Sequence, residues 1–134
     1  MRGYPVDHVG LAVSSIEKAR PLFERLTGAP GTSVVEAPAQ DINIAFFGSL
    51  ELLEPRSTQS HLGEFLTSRG GRLHHVAYRV PDIAQAMGEL EADGFEFLDP
   101  EPRMGVGGRR IAFLHPAGTA GLFIELVEEG AGHV

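Results

Sequence analysis

The sequence predicts an α+β fold made of two βαβββ modules related by an internal repeat, and three matches carry that reading. A shift of 67 residues brings Asp7–Ala19, DHVGLAVSSIEKA, onto His74–Ala86, HHVAYRVPDIAQA. At the same shift Ile44–Phe47, IAFF, meets Ile111–Leu114, IAFL. Leu50–Glu54, LELLE, meets Ile124–Glu128, IELVE, once seven extra residues are placed in the loop His115–Gly121. One such match can arise by chance; three in the same order indicate a duplicated unit. The expected boundaries are about 5–56 for module one, 57–71 for a linker helix and 72–128 for module two, all within a single domain over 1–134.

Each module opens on a strand. Alternation along Asp7–Val13 puts Val9, Leu11 and Val13 on one face and His8, Gly10 and Ala12 on the other. Along His74–Val80 the faces are Val76, Tyr78, Val80 and His75, Ala77, Arg79. A helix follows each strand. Ser14 with Glu17 reads as a capping box, and the stripe Ile16, Ala19, Leu22, Phe23, Leu26 ends at Gly28. Pro21 inside that stripe predicts a bend or a restart. Asp82 with Gln85 caps the second helix, whose stripe Ile83, Ala86, Met87, Leu90 stops at Gly94. Three strands are expected after each helix: near Thr32–Ala37, Ile42–Phe47 and Leu50–Glu54, then near Phe95–Leu98, Arg109–Leu114 and Leu122–Val127. The linker carries an amphipathic segment, Ser60–Ser68, with Leu62, Phe65 and Leu66.

Composition narrows the function. With 43% hydrophobic and 22% charged residues, the 134-residue chain has an ordinary globular composition. Its apolar runs fall far short of the ~18 residues of a membrane span. The opening MRGYPVDHVG lacks a signal peptide's apolar core, so no membrane partner and a cytoplasmic location are expected. There is no cysteine, which excludes disulfides, thiolate metal sites and a cysteine nucleophile. The net charge of −7, with no broad gathering of bases, argues against nucleic acid as a partner.

Four polar residues interrupt otherwise apolar or small-residue faces. His8 and His75 stand on the first strand of each module, Glu51 and Glu125 on the last. Burying two carboxylates side by side is costly unless a cation offsets them, and two neutral imidazoles with two carboxylates balance a divalent ion. Such N and O donors suit Co, Ni, Mn, Fe or Zn, and also Mg; cobalt is the first expectation, one ion per site. The competing reading makes the histidines core residues and the glutamates part of a solvated face. Glu101–Pro116, EPRMGVGGRRIAFLHP, is the second informative stretch: three glycines permit a tight mobile loop, and Arg103, Arg109 and Arg110 gather charge suited to phosphates. Here the competing reading is a hairpin with solvated arginines. His61, His74 and His133 read as structural or exposed, and His115 as a weaker candidate for a site contact.

On these residues the chain resembles the vicinal oxygen chelate (glyoxalase/bleomycin resistance/dioxygenase) superfamily, and within it the methylmalonyl-CoA epimerases. The stretches that carry the resemblance are DHVGLAV, ELLEP, HHVAYRV, the arginine-bearing EPRMGVGGRRIAFLHP and FIELVE, in order along nearly the whole chain. The resemblance implies a half-barrel metal cleft, a divalent metal on His8, Glu51, His75 and Glu125, and Glu125 also acting as an acid/base group. It implies a cytoplasmic homodimer that epimerises methylmalonyl-CoA by 1,1-proton transfer through an enediolate, with Arg103, Arg109 and Arg110 on the coenzyme A phosphates. The family's other acid/base glutamate falls at Ile44, which carries no proton, and the hairpin before Glu51 is about three residues shorter than usual. Two alternatives share the scaffold: a glyoxalase I-type lactoylglutathione lyase and a non-catalytic small-molecule-binding protein.

Overall fold

The helix of each βαβββ module is fastened at its N-terminus from two directions, by a capping side chain and by a glutamate of its module's last strand. The computed structural model describes residues 3–69 and 73–130; His133 lies outside the described residues. In chain order the elements are β1 (Val6–Ala12), α1 (Ile16–Thr27), β2 (Val35–Ala37), β3 (Ile42–Phe47), β4 (Leu50–Pro55), α2 (His61–Arg69), β5 (Leu73–Val80), α3 (Ile83–Ala92), β6 (Arg103–Met104), β7 (Arg110–Phe113) and β8 (Ile124–Glu128). The βαβββ order therefore occurs twice, with α2 between the copies, and the α+β class holds. Among the described residues no helix is long and apolar enough to cross a membrane.

The chain forms two compact units, residues 9–74 and residues 1–8 with 75–134, so β1 gives Val6–His8 to one and Val9–Ala12 to the other. In the 9–74 unit the strand order is β2-β3-β4-β1. β4 runs parallel to β1 with Glu51 opposite Gly10, and antiparallel to β3 with Glu51 opposite Phe46. One face of this sheet packs Ala45, Phe47 and Leu52 against Ile16, Ala19 and Phe23 of α1. The other packs Ala12, Ile44 and Leu53 against Leu62, Phe65 and Leu66 of α2. In the second unit the order is β1-β5-β8-β7-β6. β8 runs parallel to β5 with Glu125 opposite Ala77, and antiparallel to β7 with Glu125 opposite Phe113. Its apolar face, Val80, Ala112 and Leu126, packs on Ile83, Ala86 and Met87 of α3.

Several local expectations change. The N-cap of α1 is Ser15, whose hydroxyl accepts the Lys18 N–H, in place of Ser14 with Glu17; Ser15 is the repeat equivalent of Asp82, which accepts the Gln85 N–H. α1 continues through Pro21, which removes one intrahelical bond and leaves the rest of the helix in place. Its buried stripe is narrower than the sequence suggests, because Leu22 and Leu26 are exposed. The chain does turn at Gly28, in the left-handed region at φ 72°. Phe95–Leu98 forms only an isolated bridge between Phe97 and Leu114. Beyond it Asp99 takes over, its carboxylate accepting the Phe113 N–H and the Arg103 Nε–H.

The second fastening joins the last strand of each module to its own helix. Glu54 on β4 accepts the Ile16 N–H at 2.7 Å, and Glu128 on β8 accepts the Ile83 N–H at 3.1 Å. Ile16 and Ile83 are the first helical residues, with N–H groups that have no partner inside the helix. Glu128 also receives Arg110 Nη2–H at 2.7 Å; that bond and the Ile83 N–H hold its carboxyl below the usual range. Glu128→Ala is expected to cost about 1 kcal/mol and lower the melting temperature by a few degrees. A carboxyl whose folded-state pKa is depressed contributes stability above its unfolded pKa and loses it as pH falls. The gap between wild type and Glu128→Ala in urea titrations should therefore shrink as the pH drops through the carboxylate range; a gap independent of pH would overturn this assignment.

Candidate metal centre

Among the described residues, the buried polar side chains are Asp7, His8, Glu51, Ser60, His75 and Glu125, and four of these six are the quartet selected from the sequence. Three of the quartet meet within one unit. Strand alternation turns His75 and Glu125 to the face away from α3, the first on β5 and the second on β8 opposite Ala77. His8, on the first residues of β1, faces them. The Nε2 atoms of His8 and His75 lie 3.1 Å apart, and Glu125 Oε1 is 3.3 Å from the first and 3.5 Å from the second. The rings of His8 and His75 meet edge to face, and His75 stacks edgewise on Phe113.

The chemistry of these atoms fits a cation. Glu125 Oε1 is buried with no hydrogen-bond partner, a costly state for a carboxylate oxygen. His8 Nδ1 lies 2.7 Å from Asp7 Oδ2. A carboxylate can only accept there, so Nδ1 carries the proton, and in the neutral imidazole Nε2 then has its lone pair on the side of Glu125. Two imidazole nitrogens and a carboxylate oxygen thus converge where a divalent ion would satisfy all three.

Glu51 lies in the 9–74 unit, 8% exposed on β4. It stands opposite Gly10 on one side and Phe46 on the other, just as Glu125 stands between Ala77 and Phe113. Gly10 is two residues beyond His8 on the same face of β1. Ile44 is buried with Ala12, Ala37, Leu53 and Leu62 and supplies no titratable group.

The three arginines expected to act together are distributed by strand geometry. Arg103 and Arg109 share the face that carries Phe113 and Glu125, whereas Arg110 projects to the α3 face and pairs there with Glu128. Arg103 bonds Asp99 and lies over the Phe113 ring, with its side chain about half exposed. Arg109 is mostly buried and grips Asp7 with both Nη atoms, each at 2.9 Å. The glycines act between these residues: Gly105 N–H bonds the Arg109 carbonyl at 2.8 Å, and Gly108 turns the chain at φ 79°. His115 is exposed and accepts the Ala117 N–H to cap a 3-10 turn, and His74 meets Phe65 edge-on.

Asp7 is the site residue that sequence reading missed. Besides His8 and Arg109 it receives Arg79 Nη1–H at 3.4 Å. Burial alone would raise its carboxyl, but the Arg109 guanidinium and His8 outweigh that effect and hold it well below the usual carboxylate range. Its signal in the sequence is only that an acid precedes His8. Nothing local announces the partner, 102 residues away.

Comparison with known proteins identifies the family. Residues 7–113 match the family model of the glyoxalase/bleomycin resistance protein/dioxygenase superfamily. An uncharacterized protein of Bacillus subtilis, YqjC, is 36% identical over 92% of this chain and 91% of its own length. The ethylmalonyl-CoA/methylmalonyl-CoA epimerase of Cereibacter sphaeroides is 31% identical over 90% of this chain and 95% of its own. A solved methylmalonyl-CoA epimerase in complex with methylmalonyl-CoA and NH4+ is 28% identical, with a TM-score of 0.84 and 96% of both chains covered. The chain belongs to the glyoxalase/bleomycin resistance protein/dioxygenase superfamily and, within it, to the methylmalonyl-CoA epimerase-like isomerases.

Proposed function

We propose that the protein epimerises methylmalonyl-CoA by metal-assisted 1,1-proton transfer, with His8, Glu51, His75 and Glu125 holding one divalent ion. The observation that carries this reading is the buried Glu125 Oε1, without a hydrogen bond and facing two imidazole nitrogens. Glu51 enters through the repeat, because its register between Gly10 and Phe46 reproduces that of Glu125 between Ala77 and Phe113. The two carboxylates and two neutral imidazoles balance a double positive charge; cobalt remains the first expectation. When bound, such an ion supplies positive charge beside the negative charge that develops on the substrate's thioester and carboxylate oxygens.

The protein's own residues then have separate tasks. Epimerisation takes the proton from the carbon between thioester and carboxylate and returns one to the opposite face. Glu125 is the carboxylate assigned to move it, and since Ile44 offers no proton, a water serves the other face. Phe113 walls the site beside Glu125. The coenzyme A phosphates are assigned to the arginine hairpin, chiefly to Arg103, whose guanidinium is on the Glu125 face and half exposed. Arg109 and Arg110, engaged by Asp7 and Glu128, hold the hairpin in place.

Three outcomes are expected. Purified protein should bind about one divalent ion per chain by elemental analysis, and the His8→Ala, His75→Ala double variant should lose it; full occupancy in that variant would remove the metal site. Metal-replete Glu125→Gln should lose deuterium wash-in from solvent by a factor of about 10²–10⁴, because an amide cannot accept the α-proton. Near-normal exchange measured by NMR would leave Glu125 a ligand alone. Arg103→Ala should raise KM with kcat little changed, and a kcat loss at constant KM would point Arg103 toward the reacting carbon.

A further inference from the structure

We propose that Asp7, clamped by Arg109, is a positioning residue that fixes the tautomer and orientation of His8 as a metal ligand; the inference rests on the metal site proposed above. Every polar contact at Asp7 points to this task. Arg109 binds the carboxylate as a fork, Nη1 to Oδ1 and Nη2 to Oδ2, both at 2.9 Å, a geometry that fixes the plane of the carboxylate. Arg79 adds a third donor to Oδ1. With its plane set, Oδ2 has one direction left for the His8 Nδ1–H, which it meets at 2.7 Å.

The consequence at His8 is specific. A neutral imidazole has one N–H and one lone pair, and whichever nitrogen donates leaves the other to bind a cation. Holding the proton on Nδ1 delivers the lone pair at Nε2, the atom 3.1 Å from His75 Nε2 and 3.3 Å from Glu125 Oε1. The carboxylate also makes the ring a stronger donor to a cation, as carboxylates behind metal-binding histidines generally do. A merely structural ion pair between Asp7 and Arg109 would need no bond to the imidazole. At the position equivalent to Asp7 the second module carries His74 in place of an acid. The direction of His8 is set by Asp7, itself held by a charged partner reaching from the glycine hairpin.

The test uses the full chain in two states. In metal-free protein labelled with ¹⁵N at histidine, long-range ¹H–¹⁵N spectra should show His8 in the Nδ1–H tautomer. Asp7→Ala should convert it largely to the Nε2–H form, and Arg109→Gln should give a mixture. In titrations with cobalt(II), Asp7→Ala should bind about 10–100-fold more weakly than wild type, with Arg109→Gln between them. Far-UV circular dichroism and melting curves establish that each variant is folded. If a variant fails to fold, the wild-type spectrum alone decides: an Nε2–H tautomer overturns the proposal. So does a folded Asp7→Ala with wild-type tautomer and cobalt affinity within twofold. If wild type binds no metal, the metal site fails, while the tautomer spectra still decide whether Asp7 orients His8.

Discussion

A carboxylate oxygen without a hydrogen bond, sealed beside two imidazole nitrogens, is the constraint on which the rest of this structure depends. An uncompensated buried charge costs several kcal/mol, comparable to the whole stability of a domain this size. The buried acids meet that cost in different ways. Asp7 has two guanidinium groups and an imidazole N–H around it, so its charge is neutralised by the protein itself. Glu125 Oε1 makes no hydrogen bond and lies 3.3 and 3.5 Å from the Nε2 atoms of His8 and His75, where a cation would compensate its charge. The contrast separates a carboxylate that supports the site from one that belongs in it.

The repeat builds this arrangement from strand parity. In LELLE and IELVE the two glutamates are three residues apart, so on a strand they leave opposite faces. The first, Glu51 or Glu125, is buried on the site face; the second, Glu54 or Glu128, reaches the N-terminus of its module's helix. One short segment thus supplies a ligand candidate and locks the helix that backs the sheet. Parity also separates Arg109 from Arg110, which adjoin in sequence yet serve different faces.

Much of this was legible in the sequence because the repeat made it redundant. Matching His8 with His75 and Glu51 with Glu125 picked out four unremarkable polar residues, all of them buried, and the same offset places both helix starts at isoleucine. What could not be read is what the repeat does not duplicate. Asp7 corresponds to His74 and Arg109 to Ile42, so the clamp has no internal counterpart to reveal it. The second fastening of the helices was hidden for another reason: glutamates at strand ends look solvated until the partner N–H is placed. Phe95–Leu98 misled because its apolar residues suggest a strand, while Asp99, Pro100 and Pro102 replace ladder bonds with a side-chain bond and remove two donors.

The places where the two copies differ carry as much meaning as those where they agree. The hairpin between β6 and β7 bears Arg103, Arg109 and Arg110; its counterpart between β2 and β3 bears Glu36 and Asp41, both on Arg56. Equivalent hairpins of the two modules thus carry residues of opposite charge. A local cluster of bases requires no net positive charge, so a chain at −7 can still present one. Arg109 joins that basic hairpin to Asp7, and Asp7 to His8, so a hairpin about a hundred residues further along the chain reaches the first imidazole through one carboxylate.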